Sequence, residues 1–318
     1  MYEDGPNPTQ LQSLPPGKKP GSVPPLVLLH DGGGTTFSYF LLGSLQRDVW
    51  AIHNPKFWDA GVWEGGVDEM ARHYIKLMRE AGITGEVYLG GWSLGGFLSL
   101  TISRFLADDP SHDIKVVGIL IIDSPRQIPR KDVRSLTVGP QLSDIPDLVR
   151  KSFDNCDKML EDWEVPSWDA PACEDKPVRI ALGGKFMTIE PGTVLYKPLQ
   201  GGWGLRPTKK YAFPQTTESP KAPPPAVLIR CTERSPKAVA DSDKPAVVDF
   251  FRDEVLLGWE AAYPDFIKGV IDIEANHYNV FEKMNFARTD LVTSFLMEGL
   301  EILESIREPH RVAAMEFF

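Results

Sequence analysis

Ser93 sits at the centre of Gly91-Trp92-Ser93-Leu94-Gly95, a serine framed by glycines in the pattern G-x-S-x-G. The apolar run Glu86-Val87-Tyr88-Leu89-Gly90 comes directly before it, and a helical run from Gly96 to Ala107 directly after. Strand, G-x-S-x-G, helix is the pattern of a nucleophile elbow, a strained turn that lifts a serine hydroxyl clear of a sheet. A Cβ on either flank of that turn would clash with the neighbouring strand or helix, so the flanks are glycine. The turn also aims the N-terminus of the following helix at the reaction centre. A serine at its free pKa is a poor nucleophile, so it needs a base within reach and a carboxylate to orient that base. The chemistry indicated is acyl transfer through Ser93.

In an elbow-type hydrolase the chain order is serine, then the acid, then histidine. His277 follows a late apolar run and is, apart from His310, the only histidine placed after both Ser93 and a late strand. It is the expected base. Two positions compete for the acid. Asp123 follows the apolar run after the elbow helix, and Glu233 follows the next one, with Asp241 and Asp243 close behind. Chain order does not separate them. An oxyanion hole needs two backbone N–H groups. Leu94 supplies one, and the loop Asp31-Gly32-Gly33 the other, with Asp31 and Gly32 the nearest candidates. His30, Gly33, His53 and Trp92 are expected to face the substrate. His73 reads as structural and His112 as a surface-loop residue. The glycine loop has neither G-x-G-x-x-G nor Gly-Lys-Ser/Thr, so it is no nucleotide cradle. No His and acidic residues share metal-ligand spacing. No cofactor and no metal are expected.

The elements that must position these residues are strands alternating with helices. Leu26-Val27-Leu28-Leu29 is wholly apolar, as a strand buried on both faces should be. Further strands are expected at Asp48 to Ile52, at the run before Ser93, at Val116 to Ile122, at Ala226 to Arg230 and at Lys268 to Ile273. Val67, Met70, Ala71, Tyr74, Leu77, Met78 and Ala81 recur at helical spacing, and Gly82 follows as the stop. Helices are also expected over 245–259 and 279–305. This rhythm implies an α/β-hydrolase fold, with a doubly wound, mostly parallel sheet. From 127 to 225 the rhythm breaks in favour of prolines, Gly-rich pieces and aromatics, which predicts a large inserted lid. The expected division is a flexible leader over 1–24, a core over 25–126 and 226–306, the lid over 127–225, and a tail over 307–318.

The chain has 318 residues and a formal net charge of −10, which argues against a nucleic-acid partner. Hydrophobic residues make up 42%, enough for one large core. Three cysteines, Cys156, Cys173 and Cys231, match neither a disulfide framework nor a zinc site and fit a reducing cytoplasm. The N-terminus is acidic and lacks an apolar signal region, and no apolar run is long enough to span a bilayer.

Several segments form a linked set: Leu29-His30-Asp31-Gly32-Gly33-Gly34, Trp50-Ala51-Ile52-His53-Asn54-Pro55, Gly90 to Gly96, Ile121-Ile122-Asp123-Ser124-Pro125, Gly258-Trp259-Glu260 and Asn276-His277-Tyr278. The set resembles the thioesterases of fungal polyketide and nonribosomal peptide synthases, from about residue 26 to 300. That resemblance implies an acyl chain taken from the phosphopantetheine arm of an acyl carrier protein onto serine. Release then follows by hydrolysis or macrolactonisation. It favours Asp123 over Glu233. Such domains usually end a megasynthase. Met1 and the acidic leader favour a stand-alone enzyme acting in trans over an excised domain. Arg126, Arg130, Lys131 and Arg134 form a candidate docking patch for the carrier. An esterase or lipase on free esters, and a non-catalytic small-molecule receptor, would share the same fold.

Overall fold

A computed structural model describes the chain apart from residues 1, 2, 4, 20, 110, 112, 143, 144, 209–219, 240, 241, 283–285, 311 and 313–318. His112 and Asp241 therefore lie outside the described residues. The centre is built from the apolar runs. The strands β2 (Leu26–Leu29), β10 (Ala226–Cys231) and β11 (Ile267–Ile273) are buried along their whole length. They join β3 (Val49–Ile52), β4 (Gly85–Trp92) and β5 (Ile114–Ile122) in a parallel array. The faces alternate as strand geometry requires. Val27 and Leu29 join one hydrophobic cluster, with Met70, Tyr74 and Leu98, while Leu26 and Leu28 join another, with Leu296, Leu300 and Leu303. The first cluster is covered by α1 (Gly66–Glu80) and α2 (Leu94–Asp108), the second by α6 (Phe286–Arg307). Helices on both faces bury a sheet that can spare no polar side.

Chain direction across the sheet reverses beside β2. From β2 the chain moves out to β3, then returns past β2 to β4 on its other side. That reversal opens a crevice at the carboxyl ends of β2 and β4, where ligands bind in open α/β sheets. The glycine loop leaves β2 there and Ser93 leaves β4.

Four expectations need correction. The leader is not all flexible: β1 (Thr9–Gln12) pairs antiparallel with the exposed edge of β3, and Leu11 packs on the core. The segment 127–225 is not one lid. Its helices α3 (Arg130–Val133) and α4 (Asp147–Met159) roof the crevice. Its later part forms the hairpin β6 (Val178–Leu182) with β7 (Lys185–Ile189), and then extends the main sheet. There β8 (Thr193–Lys197) pairs parallel with β11, and β9 (Gly204–Pro207) pairs antiparallel with β8. Val194 and Leu195 explain this, since they enter opposite core clusters. No helix runs over 245–259. A 3-10 turn covers Val247–Asp249, and α5 is only Trp259–Ala262, after left-handed Leu257 and Gly258. The last helix does not run from 279: His277 to Phe281 are turns, where Asn279 accepts the Asn276 N–H at 2.8 Å, and the described helix covers Phe286–Arg307. In the tail Val312 is buried, and 313–318 lie outside the described residues. Among the described residues no helix is long and apolar enough to cross a membrane.

Candidate active site

Ser93 has φ 56° and ψ −116°, a conformation that costs an L-residue roughly 1–3 kcal/mol and persists only where its surroundings enforce it. Those surroundings are visible. A Cβ on Gly91 or Gly95 would run into the Leu29 carbonyl, and one on Gly96 into the Ser124 hydroxyl. The Ser93 N–H donates to the Ile122 carbonyl at 3.1 Å. The Tyr39 hydroxyl ties the two strand ends together, donating to the Leu29 carbonyl at 2.7 Å and accepting the Trp92 N–H at 2.9 Å.

His277 comes from the loop after β11. Its Nε2 lies 2.9 Å from Ser93 Oγ, and its Nδ1 lies 2.8 Å from Asp123 Oδ2. Asp123 is fully buried at the end of β5, with φ 44°. Its carboxylate also accepts the Cys231 N–H at 2.9 Å and both Nη groups of Arg252, at 2.5 and 2.8 Å. Burial alone would raise the Asp123 pKa, but the Arg252 guanidinium and the His277 contact outweigh it and hold the carboxyl below its usual range. Glu233, the competing acid, is exposed.

Ser93, His277, Leu94 and Gly32 line a cavity of about 70 Å³. Its other walls are largely apolar and come from α2, α4 and the 247–251 turn, among them Phe97, Phe153, Leu160, Val248 and Phe251. A wider groove of about 630 Å³ adjoins it and shares Arg130, Val133, Pro140, Asp157 and Val247.

Asp31, His30, Gly33, His53 and Trp92, placed at the oxyanion hole or the substrate by sequence, are not on the cavity wall. They lie behind it and hold it. His30 spans from the Asp31 carbonyl, through Nδ1, to the Tyr74 hydroxyl, through Nε2 at 2.6 Å, and burial lowers its pKa to about 4. Burial raises the Asp31 carboxyl to about 7, against the Gly33 N–H that it accepts. Burial also lowers the His53 imidazole to about 4, and its backbone is clasped by the Asn7 side chain. Trp92 lays its ring against His277, with centroids 5.9 Å apart, and against Phe281. The expected docking patch is largely matched by carboxylates. Arg130 meets Asp157 at 3.4 Å, Lys131 meets Asp162 at 2.8 Å, and Arg134 pairs with Glu161. Arg126 lines the inner cavity.

Sequence reasoning missed Arg252 and the roof residues Phe153 and Cys156. The latter two are three positions apart on the amphipathic α4, a usable signal for a helix lying over the site. Nothing local marks Arg252.

No protein-family model matches the chain. The probable thioesterase KK1J of Curvularia clavata is 46% identical over 306 residues, covering 95% of this chain and 97% of that protein. The probable thioesterase lcsE of Purpureocillium lilacinum is 44% identical over 314 residues, covering 94% and 97%. Among solved structures, YbtT, a type II thioesterase from the yersiniabactin NRPS/PKS biosynthetic pathway, shares the fold, with TM-score 0.51 at 12% identity over 94% of this chain and 98% of that one. With relatives this similar along nearly their whole length, the chain belongs to a family of fungal thioesterases built on the α/β-hydrolase fold.

Proposed function

We propose that this thioesterase frees a polyketide-type acyl chain from the phosphopantetheine thiol of an acyl carrier protein through an ester on Ser93, and that water is the second acceptor. The observation that carries this reading is the unbroken line from Ser93 Oγ through His277 to Asp123 at the floor of a roofed apolar cavity. In the first half-reaction Ser93 Oγ attacks the thioester carbon and His277 Nε2 takes its proton. The tetrahedral oxyanion faces the Leu94 and Gly32 N–H groups. The C–S bond then breaks and His277 returns the proton to the departing thiol. In the second half-reaction His277 takes a proton from water as it attacks the acyl carbon; the bond from that carbon to Ser93 Oγ then breaks, His277 returns the proton to Oγ, and the acid leaves.

The inner cavity at Ser93, about 70 Å³, is below the roughly 300–1,000 Å³ of a usual ligand pocket, so an acyl chain extends from it into the outer groove of about 630 Å³. Water needs no such room beside Ser93, and this favours it as the acceptor. The test is product release from a panel of hydroxyacyl thioesters by the wild type and Ser93→Ala. Mass spectrometry separates acid from lactone by one water. Acid from the wild type, lost in Ser93→Ala, supports the proposal, whereas lactone refutes hydrolysis. Turnover of free esters in preference to thioesters refutes the carrier-bound substrate. Failure of a fluorophosphonate to label Ser93 refutes the acyl-serine step and leaves a receptor.

A further inference from the structure

Behind Asp123 the ionic line continues. Arg252 is 4% exposed and uses its whole fork. Nη1 donates to Asp123 Oδ1 at 2.5 Å and to the Cys231 carbonyl at 2.7 Å. Nη2 donates to Asp123 Oδ2 at 2.8 Å and to the Val248 carbonyl at 3.4 Å. Nε donates to Asp249 Oδ1 at 2.9 Å, and the other oxygen of Asp249 accepts the Ser235 N–H at 2.6 Å. A buried carboxylate next to a histidine could rotate. Here Oδ1 is held by Arg252 Nη1 and the Cys231 N–H, and Oδ2 by Arg252 Nη2 as well as by His277, so the fork pins both oxygens.

Charge makes a second argument. With the imidazole neutral, Asp123, Arg252 and Asp249 sum to −1. With the imidazole protonated, as it is after taking the serine proton, the group sums to zero. Without Arg252 the resting group would hold two buried carboxylates and no cation. A low-dielectric interior resolves that by binding a proton in advance. A proton already on the Asp123–His277 pair leaves no base for Ser93. The other groups around this pair are the Cys231 thiol beside Asp123, the Tyr278 phenol next to His277 and, across the cavity, the Cys156 thiol, Arg126 and the Arg130–Asp157 pair. The thiols and the phenol are neutral at working pH, Arg130 is paired, and Arg126 is the same in every variant compared below.

We propose that Arg252 is a positioning residue that acts through Asp123. It fixes the plane of the carboxylate, and its charge keeps the Asp123–His277 pair free of a resting proton. The proposal rests on the acyl-serine reading for its consequence in catalysis, but not for its consequence in proton binding. The measurement is the rate of fluorophosphonate labelling of Ser93 against pH, in the full chain, with Ser93→Ala as blank. Arg252→Met should move the half-maximal rate up by about one pH unit or more. Arg252→Lys keeps the charge but not the fork, so its midpoint should stay near wild type while the rate falls about tenfold. Asp249→Asn removes a negative charge and should move the midpoint down, which keeps the test open if Arg252→Met does not fold. A folded Arg252→Met protein with the wild-type midpoint overturns the proposal, as does Arg252→Lys shifting as far as Arg252→Met. An NMR titration of the His277 ring reads the same proton without any chemistry. If the wild type is not labelled, the acyl-serine reading falls, and the ring titration still decides the role of Arg252.

Discussion

Replacing Asp123 by Asn changes one oxygen to an NH₂ and leaves the volume alone. The Cys231 N–H and one Arg252 N–H can still reach the remaining oxygen. The new NH₂ then faces His277 Nδ1–H and an Arg252 Nη2–H, donor against donor. The imidazole can escape only by taking the other tautomer, with its hydrogen on Nε2. That nitrogen then points a proton at Ser93 Oγ, 2.9 Å away, and cannot accept one. Loss of the base in this manner costs about 10⁴ in turnover, close to 5 kcal/mol of transition-state stabilisation. Stability falls as well, since Arg252 loses one of its two carboxylate partners inside the protein. Breaking a buried pair costs about 3–5 kcal/mol. The assay is kcat/KM on a soluble acyl thioester together with thermal unfolding of Asp123→Asn and, beside it, Glu233→Gln. The exposed Glu233 should lose less than about threefold. A loss under tenfold for Asp123→Asn, or a larger loss for Glu233→Gln, refutes the assignment.

Three further outcomes follow from the same geometry. The folded Asp123 carboxyl sits below its unfolded value, so its stabilisation is complete above the ordinary aspartate range and is lost as pH falls through and below it. The Tm gap between wild type and Asp123→Asn should therefore hold from pH 8 to about 5 and close below about pH 4; closing already between pH 7 and 5 would contradict this. A Cβ on Gly32 would lie 3.1 Å from Phe153 Cδ1 and 3.3 Å from Cys156 Sγ. If the Gly32 amide holds the oxyanion as proposed, Gly32→Ala should displace it and cut kcat about 10²-fold while the Tm changes by only a few degrees, and unchanged kcat would remove Gly32 from that role. Lys131 and Arg134 are paired on the surface, and such pairs carry about 0–1 kcal/mol. Reversing either charge should alter the ratio of carrier-bound to soluble thioester turnover by less than threefold. A selective tenfold loss would restore the docking patch.

The elbow, the buried strands and the position of His277 were legible in sequence because each is written locally. Glycines at 91 and 95 report a backbone that must approach Leu29, and unbroken apolar runs report strands buried on both faces. What stayed hidden is written across long separations. Arg252 meets Asp123 over 129 positions, and β8 joins the sheet by pairing with a strand more than seventy residues later.

The stretch from 245 to 259 is the instructive failure. Pro245 at a first turn reads as a helix start, yet Asp249 and Arg252 both turn inward, three residues apart, and Arg252 meets Asp123 there. In place of a helix, the 3-10 turn over Val247–Asp249 leads to Arg252, whose fork reaches Asp123 and the Cys231 carbonyl, and Leu257 and Gly258 adopt left-handed conformations that end the stretch at the core. The same conflict recurs at Ser93 and Asp123, both L-residues at positive φ. At Ser93 and Asp123 the local preference is overruled because each side chain must be delivered to His277, and the surrounding contacts hold both residues in conformations that their own types disfavour.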